Sequence, residues 1–377
     1  MSGIYIHIPF CKKACHYCDF HFSTNLKKKK VMLDAIAEEL RLRKLEMQGK
    51  EIQTLYFGGG TPSILGVAEI IELIETVNDN YAVSTKPEIT LEANPDDLTK
   101  DLIIQLSNSP INRLSIGVQS FFDEDLKLMN RAHNSREAES SIKTAMDYFK
   151  NLSVDLIYGI PGLSNDRWIE NIEKALSFDI PHISSYALTV EPKTALEKFI
   201  QKGIVEDVDD ELVQEQFHIL VNRLKKEGFI HYETSNFGKA GFFSQNNTAY
   251  WQGKHYLGIG PSAHSYDGES RSWNIRNNSK YIKAISESRL PLEKEVLTKK
   301  DRYNEHIMTG LRTIWGVSLD EINTYFGPEY ARYLLDHSEK YIKKELLYLK
   351  GETLRATKKG KFLVDGIAAD LFLLNLK

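Results

Sequence analysis

The chain has 377 residues, of which 42% are apolar and 27% are charged, an ordinary composition for a globular protein. Its formal net charge of −4 implies no overall attraction to nucleic acid or to an anionic membrane. No apolar run approaches the roughly 20 residues that span a bilayer, and the N-terminus lacks the pattern of a secretion signal, so we expect a cytoplasmic protein with one large and one smaller domain.

Strand and helix patterns alternate through the first half of the chain. Apolar, β-branched runs predict six strands, at residues 3–8, 53–57, 88–92, 113–118, 154–158 and 182–188. Apolar residues at helical spacing follow the strands, as in Leu33, Ile36 and Leu40, and Thr99 is a candidate N-cap. Repeated strand–helix units predict an α/β fold with a parallel sheet, whose ligand-binding end carries the loops that follow the strands. Periodicity leaves open whether this sheet closes into a barrel.

The pattern changes after about residue 190. A helix over 212–227 is followed by an aromatic-rich segment and by a linker over 287–295. The last segment predicts helices over 303–314, 318–325 and 329–349 and short strands over 353–356 and 362–364, the order found in a winged helix. Acidic residues interleave with its basic ones, which favours a lid or docking role over phosphate binding. We therefore divide the chain into residues 1–190, 191–296 and 297–377.

The only cysteines of the chain stand within eight positions: Cys11, Cys15 and Cys18. Thiolates are the usual ligands of iron–sulfur clusters, and three of them would leave one iron of a [4Fe–4S] cluster without a protein ligand. The odd number disfavours a disulfide, and the clustering disfavours scattered structural cysteines. A zinc site that adds one nearby histidine stays open as an alternative, with His7, His16 and His21 as candidates.

The segments around these cysteines resemble the radical S-adenosylmethionine (SAM) superfamily, in its coproporphyrinogen dehydrogenase/HemW branch. They read YIHIPFC at residues 5–11 and HYCDF at residues 16–20, and Tyr17 is the aromatic residue before the last cysteine of the signature. The resemblance runs from about residue 4 to residue 268. It implies a partial (β/α)6 barrel with a C-terminal winged-helix-like α+β module. It also implies that the three cysteines hold a [4Fe–4S] cluster whose open iron binds SAM.

Further motifs carry the resemblance to the SAM site. GGGTP at residues 58–62 matches a glycine motif that lets the backbone approach the SAM amino group and exposes amide donors. By this match we expect SAM contacts from Tyr5, Tyr17, Gly59, Gly60, Thr61, Glu92, Gln119, Arg131, Asp155 and Ala187. Singly, these residues are equally compatible with a tight turn or with solvated strand ends. Asp155 lies in an apolar strand and should have a partner, because an unpaired buried carboxylate costs several kcal/mol.

Within this branch the dehydrogenases carry an N-terminal extension and a fourth cysteine two positions after the third. This chain starts at its first strand and has Phe20 at that position, so the resemblance favours the HemW family of haem chaperones. The expected ligand is haem or a related tetrapyrrole, and the expected partners are a haem-acceptor protein and an electron donor. Neither nucleic acid nor stable membrane insertion is expected. Whether the protein cleaves SAM, and so acts as an enzyme, stays open.

Whether haem binds through the first position of the family's H-N-x-x-Y-W motif stays open here, because residues 246–251 read NNTAYW. Asn246 replaces the histidine, and an amide is a poor axial ligand for haem iron. Other candidates in the region are His231, His255 and His264, while Tyr250 and Trp251 could stack on a porphyrin or fill the core. Two further functions stay open: an oxygen-independent coproporphyrinogen III dehydrogenase, and a zinc-structured winged-helix protein that binds nucleic acid.

Overall fold

A computed structural model of the chain describes residues 2–374. Its first half repeats a strand–helix unit six times. The strands are β1 (Ser2–Ile8), β2 (Ile52–Gly59), β3 (Val83–Ala93), β4 (Arg113–Gln119), β5 (Leu152–Tyr158) and β6 (His182–Ala187). The helices are α1 (Lys29–Leu42), α2 (Val67–Asn80), α3 (Lys100–Ser107), α4 (Asp123–Leu128), α5 (Ser135–Tyr148), α6 (Asn165–Leu176) and α7 (Ala195–Gln201).

The strands β1 to β6 lie side by side in chain order, and every neighbouring pair is parallel. Successive side chains of a strand point to opposite faces, so each strand serves two environments. Along β1, Ile4 and Ile6 are fully buried in the apolar core, whereas Tyr5 between them lines a cavity described below. The predicted N-cap of α3 is confirmed, since the Thr99 hydroxyl accepts from the amide of Leu102 (3.2 Å).

The sheet is extended at both edges by later parts of the chain. Its further strands are β7 (Ile230–Glu233), β8 (Asn236–Gly238), β9 (His255–Ile259), β10 (His264–Tyr266), β11 (Ser270–Asn274) and β12 (Leu292–Val296). The helices of this region are α8 (Asp210–Lys226), α9 (Gln245–Trp251) and α10 (Asn278–Ser286). The order is β12-β11-β10-β9-β1-β2-β3-β4-β5-β6-β8-β7. Within residues 2–374 no pairing joins β7 to β12, so the sheet stays open, in agreement with the predicted partial barrel.

The C-terminal segment combines helices with a small antiparallel sheet of order β13-β15-β14. Its elements are α11 (Lys299–Leu311), β13 (Val317–Ser318), α12 (Leu319–Phe326), α13 (Pro328–Lys343), β14 (Leu347–Lys350), β15 (Thr353–Ala356) and α14 (Val364–Asp370). This is the predicted winged-helix-like module, and it has a hydrophobic core of its own. The division at residues 190 and 296 stays a prediction. Of the helices in residues 2–374, none has both the length and the apolar character that crossing a membrane requires.

Three predictions for the later segments were wrong. The helix predicted over 329–349 ends at Lys343, because Glu345 takes a left-handed conformation (φ 57°) and the following apolar residues form β14. The strand predicted over 362–364 is helical: a 3-10 turn over Lys361–Leu363 leads into α14, whose segment buries Val364, Ile367, Ala368 and Leu371 at helical spacing. The linker predicted over 287–295 contains most of β12, an edge strand whose charged residues suit its exposed position.

Candidate functional site

The cysteine loop after β1 and the glycine loop after β2 are bonded directly to each other. The amide of Gly60 donates to the carbonyl of Ile8 (2.9 Å), and the amide of Thr61 donates to the carbonyl of Phe10 (2.7 Å). A Cβ atom on Gly60 would lie 2.5 Å from the Phe10 oxygen, so only glycine permits this contact. The structure therefore brings the two loops together at one end of the sheet.

The glycine loop does not offer the free amide donors that the sequence led us to expect. The amides of Gly60 and Thr61 are engaged as described, and the amide of Gly59 donates to Glu92 Oε2 (3.2 Å). That expectation was wrong, because close packing of the loop against β1 and β3 uses the same amides. An ammonium group is itself a donor, so the groups that this loop can offer to an amino group are carbonyl oxygens.

The three cysteines are free thiols and are only partly exposed. Burial raises the pKa of Cys11 to about 11, against the opposing effect of a hydrogen bond with Thr61. Burial likewise raises the pKa of Cys18 to about 11. Arg131 Nη1 donates to Cys15 Sγ (3.4 Å), which supplies positive charge beside the loop. Binding of a metal centre would therefore release protons from the buried thiols.

The donor geometry of the described residues does not provide a ready site for a single zinc ion. Among the side chains of residues 2–374, no three or more His, Cys, Asp or Glu groups converge to hold one metal ion. A zinc site needs four donors within about 2.3 Å of one ion, whereas each cysteine of an iron–sulfur cluster binds a different iron. The nearby histidines are also engaged: His7 donates to the His21 carbonyl (2.8 Å), and His16 donates to the Leu128 carbonyl (2.7 Å).

Arg131 joins the cysteine loop to the ends of β3 and β4. Its Nη2 donates to Asn94 Oδ1 (2.7 Å) and to the carbonyl of Gly117 (2.7 Å), while its Nη1 contacts Cys15. Burial raises the pKa of Tyr17 above its usual range, and the positive charge of Arg131 acts in the opposite direction. Arg131, itself expected to contact SAM, thus places one fixed positive charge beside Cys15.

Two carboxyl groups, one near the end of β3 and one in the middle of β5, have raised proton affinity. Burial raises the pKa of Glu92 to about 7, although the Tyr56 hydroxyl donates to its Oε1 (2.8 Å). Burial raises the pKa of Asp155 to about 6, with hydrogen bonds from Ser184 and Ser115 acting in the opposite direction. The partner expected for Asp155 is therefore present: the neutral Ser115 hydroxyl donates to its carboxylate (3.2 Å). Both acids can hold a proton near neutral pH, as groups at ligand sites often do.

The remaining residues of the expected SAM site lie at the ends of β4 and β6. Gln119 adopts a left-handed conformation (φ 68°), and the ladder between β4 and β5 shifts register beside it. Such strain in a residue other than glycine is concentrated at functional sites. Ala187 closes β6 opposite Tyr158 of β5. The strand-end positions predicted from the sequence are thus confirmed, whereas their contact with SAM stays a prediction.

A cavity of about 820 Å³ opens beside these strand ends. Three of the ten expected SAM residues line it: Tyr5, Gly59 and Glu92. The other seven lie outside its lining: Tyr17, Gly60, Thr61, Gln119, Arg131, Asp155 and Ala187. Phe20, which stands where the dehydrogenases have a fourth cysteine, also lines the cavity and is largely exposed. The cavity therefore continues from the cysteine loop into the second half of the chain.

The far wall of the cavity contains residues that the sequence did not single out. Tyr56 and Tyr186 contribute aromatic surface, and Lys254, Arg271, Arg276 and Arg312 contribute positive charge. Arg312 comes from the C-terminal module: its guanidinium lies 4.7 Å from the ring centroid of Trp251 and forms an ion pair with the buried Glu233 (3.2 Å). The alternation of β2 could have identified Tyr56, but the arginines become neighbours only through the fold.

The segment 246–251 forms most of α9 and lies against the cavity. The Thr54 hydroxyl donates to Asn246 Oδ1 (3.1 Å), which holds this side chain beside β2. The amide of Asn246 donates to the buried carboxylate of Glu88 (3.1 Å). Tyr250 and Trp251 both line the cavity, with their ring centroids 5.2 Å apart. The two aromatic residues thus face a space that can hold a ligand and do not simply fill the core.

The three histidines considered for haem differ in their surroundings. His231 is outside the lining of the cavity, stacks on Phe237 (4.1 Å between ring centroids), and burial lowers its pKa to about 3. His255 lines the cavity, and its Nδ1 is hydrogen-bonded to Lys50. His264 lines the cavity and has an exposed side chain.

Comparison with protein families identifies two matching parts of the chain. The radical SAM superfamily model matches residues 5–198, and the model of the HemN C-terminal domain matches residues 297–363. The chain is also similar in fold to "Coproporphyrinogen III oxidase (HemN) from Escherichia coli", a radical SAM enzyme. The superposition has a TM-score of 0.86, with 22% identity, and covers 98% of this chain and 90% of that chain.

Curated relatives with the name heme chaperone HemW match between 70% and 97% of the chain in the three cases that follow. The protein of Bacillus subtilis (strain 168) is 34% identical over 331 residues, which are 87% of each chain. The protein of Lactococcus lactis subsp. lactis (strain IL1403) is 32% identical over 377 residues, which cover 97% of this chain and 98% of the relative. The protein of Escherichia coli (strain K12) is 36% identical over 270 residues, with 70% and 69% covered.

Proposed function

We infer that this chain, which belongs to the radical SAM superfamily and within it to the HemW/HemN-like family, binds a [4Fe–4S] cluster, SAM and haem, and passes the haem to an acceptor protein. The observation that carries this proposal is that one cavity joins two sites. The strand-end residues Tyr5, Gly59 and Glu92 line one part of it, and the segment 246–251 lines another. A cluster-and-SAM site therefore borders a space large enough for a second ligand.

The proposed cluster ligands are Cys11, Cys15 and Cys18, which leave one iron free for SAM. When bound, the cluster supplies the electron that radical SAM proteins use to cleave SAM. Arg131 donates to the Cys15 sulfur and would counter part of the negative charge that thiolates bring to a cluster. The two backbone hydrogen bonds between the cysteine and glycine loops would then fix the position of the cluster relative to SAM.

The proposed SAM site uses carboxyl, amide and backbone groups in separate roles. Glu92 is positioned by Tyr56 and by the amide of Gly59, so that its carboxylate can accept from the hydroxyl or ammonium groups of SAM. Carbonyl oxygens of the glycine loop are further acceptors for the ammonium group. Tyr5, Tyr17, Gln119, Arg131, Asp155 and Ala187 complete the set that we assign by family resemblance. SAM cleavage is not required for the chaperone role proposed here.

The cavity wall has the chemistry that a haem requires. Tyr250 and Trp251 offer aromatic surface to a flat macrocycle. Lys254, Arg271, Arg276 and Arg312 offer positive charge to its carboxylate groups. Arg312 links this wall to the C-terminal module through Asp365, which its guanidinium contacts at 2.5 Å. We therefore propose that this module helps to cover the ligand. The acceptor protein and the electron donor are proposed as kinds of partner, without an identified protein for either.

Specific residues argue against the two alternative functions. A coproporphyrinogen dehydrogenase of this branch has a fourth cysteine where this chain has Phe20. A zinc-structured protein would need a single-ion donor set, and no such set is found among residues 2–374. The likeness to the Escherichia coli coproporphyrinogen oxidase concerns the fold and does not carry its reaction to this chain.

Haem titration of the reconstituted protein tests the proposal. Protein loaded with iron and sulfide without oxygen is titrated with haem, and the visible spectrum is recorded. We expect saturable binding near one haem per chain and transfer of that haem to an added haem-free acceptor. The same protein, given coproporphyrinogen III, SAM and a reductant, should form no protoporphyrinogen. Appearance of protoporphyrinogen would overturn the chaperone assignment in favour of the dehydrogenase.

A further inference from the structure

Four histidines line the cavity, and His264 differs from the other three. His7 donates from Nε2 to the carbonyl of His21 (2.8 Å), and His21 itself is bonded through Nε2 to Asn278 (2.6 Å). His255 is hydrogen-bonded to Lys50. Within residues 2–374, neither ring nitrogen of His264 has a hydrogen-bond partner, although the ring stacks on Trp273 (6.0 Å between centroids). His264 thus has both ring nitrogens available to a ligand.

The hairpin of β10 and β11 directs His264 toward the cavity. In the register of this pair His264 lies opposite Trp273, and Tyr266 lies opposite Arg271, so these four share one face. His264 and Arg271 both line the cavity. The residue between His264 and Tyr266, Ser265, points the other way and accepts from Arg43 (3.1 Å) in the interior. The alternation of the strand therefore assigns His264 to the ligand side.

A buried ionic cluster holds the backbone on both sides of His264. The Glu39 carboxylate accepts from the amide of Gly260 (2.8 Å) and from Asn274 Nδ2 (2.7 Å), and it also pairs with Arg43 (2.9 Å). Arg43 in turn donates to the carbonyl of Gly258 (2.9 Å). Glu39 and Arg43 are both buried. A metal ligand needs such a rigid support, because its nitrogen must be held at a fixed point.

Glycines permit the close approach that places this hairpin next to the cysteine loop. A Cβ atom on Gly258 would lie 2.0 Å from the carbonyl oxygen of His264. Gly260 has φ +99°, and a Cβ atom there would lie 2.6 Å from the carbonyl oxygen of His7 at the end of β1. The turn that delivers His264 is thus packed against the strand that leads into Cys11.

Two cations that line the same cavity as His264 are suited to carboxylate groups. Lys254 and Arg276 line the same cavity, and in the described part of the chain neither has a carboxylate within 4.0 Å. Both side chains are exposed to the cavity mouth.

We propose that His264 is the axial ligand of the haem iron, in place of the histidine that Asn246 replaces, and that Lys254 and Arg276 bind the haem propionates. This inference rests on the proposed function, because it assumes that the cavity takes haem. Binding forms one Nε2–iron or Nδ1–iron bond and displaces water from the iron, with no change of oxidation state. Porphyrin without iron would keep the propionate contacts and lack this bond.

A comparison of haem with iron-free protoporphyrin IX tests the proposal. His264→Ala should weaken haem binding by at least about tenfold and change the position of the main haem absorption band, whereas its binding of protoporphyrin IX stays within about twofold of the wild type. His255→Ala is the matched control, since His255 lines the same cavity but is held by Lys50. Lys254→Gln with Arg276→Gln should weaken the binding of both porphyrins.

The outcomes separate this inference from the proposed function. If the wild type binds no haem, the proposed function and the inference both fail. If the wild type binds haem and His264→Ala has the same affinity and spectrum, only the ligand assignment is overturned. His264→Gln provides a second variant of similar size and polarity, and its loss of the wild-type haem spectrum, with an unchanged unfolding midpoint, supports coordination. Restoration of that spectrum in the Ala variant by added imidazole supports it further.

Discussion

Replacement of Glu39 by glutamine should destabilise the protein far more than replacement of its neighbour Glu38. The Glu39 carboxylate is fully buried in α1 and accepts four hydrogen bonds, from Arg43, Asn274, Tyr281 and the amide of Gly260. Glutamine keeps the shape of the side chain but removes its charge. The guanidinium of Arg43 then keeps only Glu46 as a charged partner within the described residues.

The structure gives the size of this effect. Removal of one partner of a buried ion pair costs about 3–5 kcal/mol, and the lower end applies here because Glu46 still pairs with Arg43. Glu38 forms an exposed pair with Arg41, and such pairs contribute at most about 1 kcal/mol. With a urea dependence of about 3 kcal/mol per molar, the Glu39→Gln midpoint should fall by about 1 M.

Urea unfolding followed by circular dichroism, with Glu38→Gln as the control, measures this difference. Haem titration of the same two variants gives a second readout, since Glu39 also supports the backbone near His264. Equal urea midpoints for the two variants would refute the claim that the buried ionic cluster of Glu39 and Arg43 holds strands β9 to β11 on the sheet. If the unfolding midpoint falls while the haem affinity stays at the wild-type value, the buried ionic cluster of Glu39 and Arg43 has a structural role only.

Three other predictions concern the ligand sites. Gly60→Ala should weaken SAM binding at least about tenfold in calorimetry, because a Cβ atom there meets backbone at 2.5 Å, whereas Gly366→Ala, with no atom within 4 Å, should not. In the ligand-free protein, the folded state holds the Glu92 proton more tightly than the unfolded state, because the pKa of Glu92 is raised to about 7. The free energy of unfolding should therefore fall as the pH rises from about 4.5 to about 7, and Glu92→Gln should flatten this slope in urea titrations. Asn246→His should strengthen haem binding in a visible titration, because it restores an imidazole at the position held by Thr54.

Each of these predictions has an outcome that contradicts it. Unchanged SAM affinity in Gly60→Ala would mean that the two loops can separate without loss of the site. A slope that survives in Glu92→Gln would assign the pH dependence to Asp155 or to another group. Wild-type haem affinity in Asn246→His would exclude this position as a haem contact.

The repeated strand–helix units could be predicted from sequence because their signals are local, whereas the partial barrel was predicted only through the family resemblance. Each parallel strand is a short apolar run, each helix shows its own spacing, and the loops between them carry Gly and Pro. The strand predicted at 88–92 was too short, since Val83–Ala93 also includes a polar first half that the apolar pattern does not mark. The C-terminal errors have the same origin: the apolar run 346–349 suits a helix or a strand equally, and only the turn at Glu345 decides.

The cavity could be predicted only in part. Tyr5, Gly59 and Glu92 were identified through the resemblance, but Tyr56, Tyr186 and the cationic residues were not. Arg312 reaches Glu233 across 79 positions of sequence, and such long-range contacts leave no local pattern. The amides of the glycine loop show a second limit of sequence-based prediction. A motif gives the residue types, but it does not tell which hydrogen-bond partners these residues have in the folded protein.

Electron paramagnetic resonance of the reduced, reconstituted protein, recorded before and after addition of SAM, tests the central claim most directly. Chemical analysis of the same sample should find about four irons and four sulfides per chain. The resonance signal of the cluster should change when SAM binds the open iron, and it should be lost in each single variant Cys11→Ala, Cys15→Ala and Cys18→Ala. Zinc without iron or sulfide, or a full cluster signal that SAM leaves unchanged, would contradict the account.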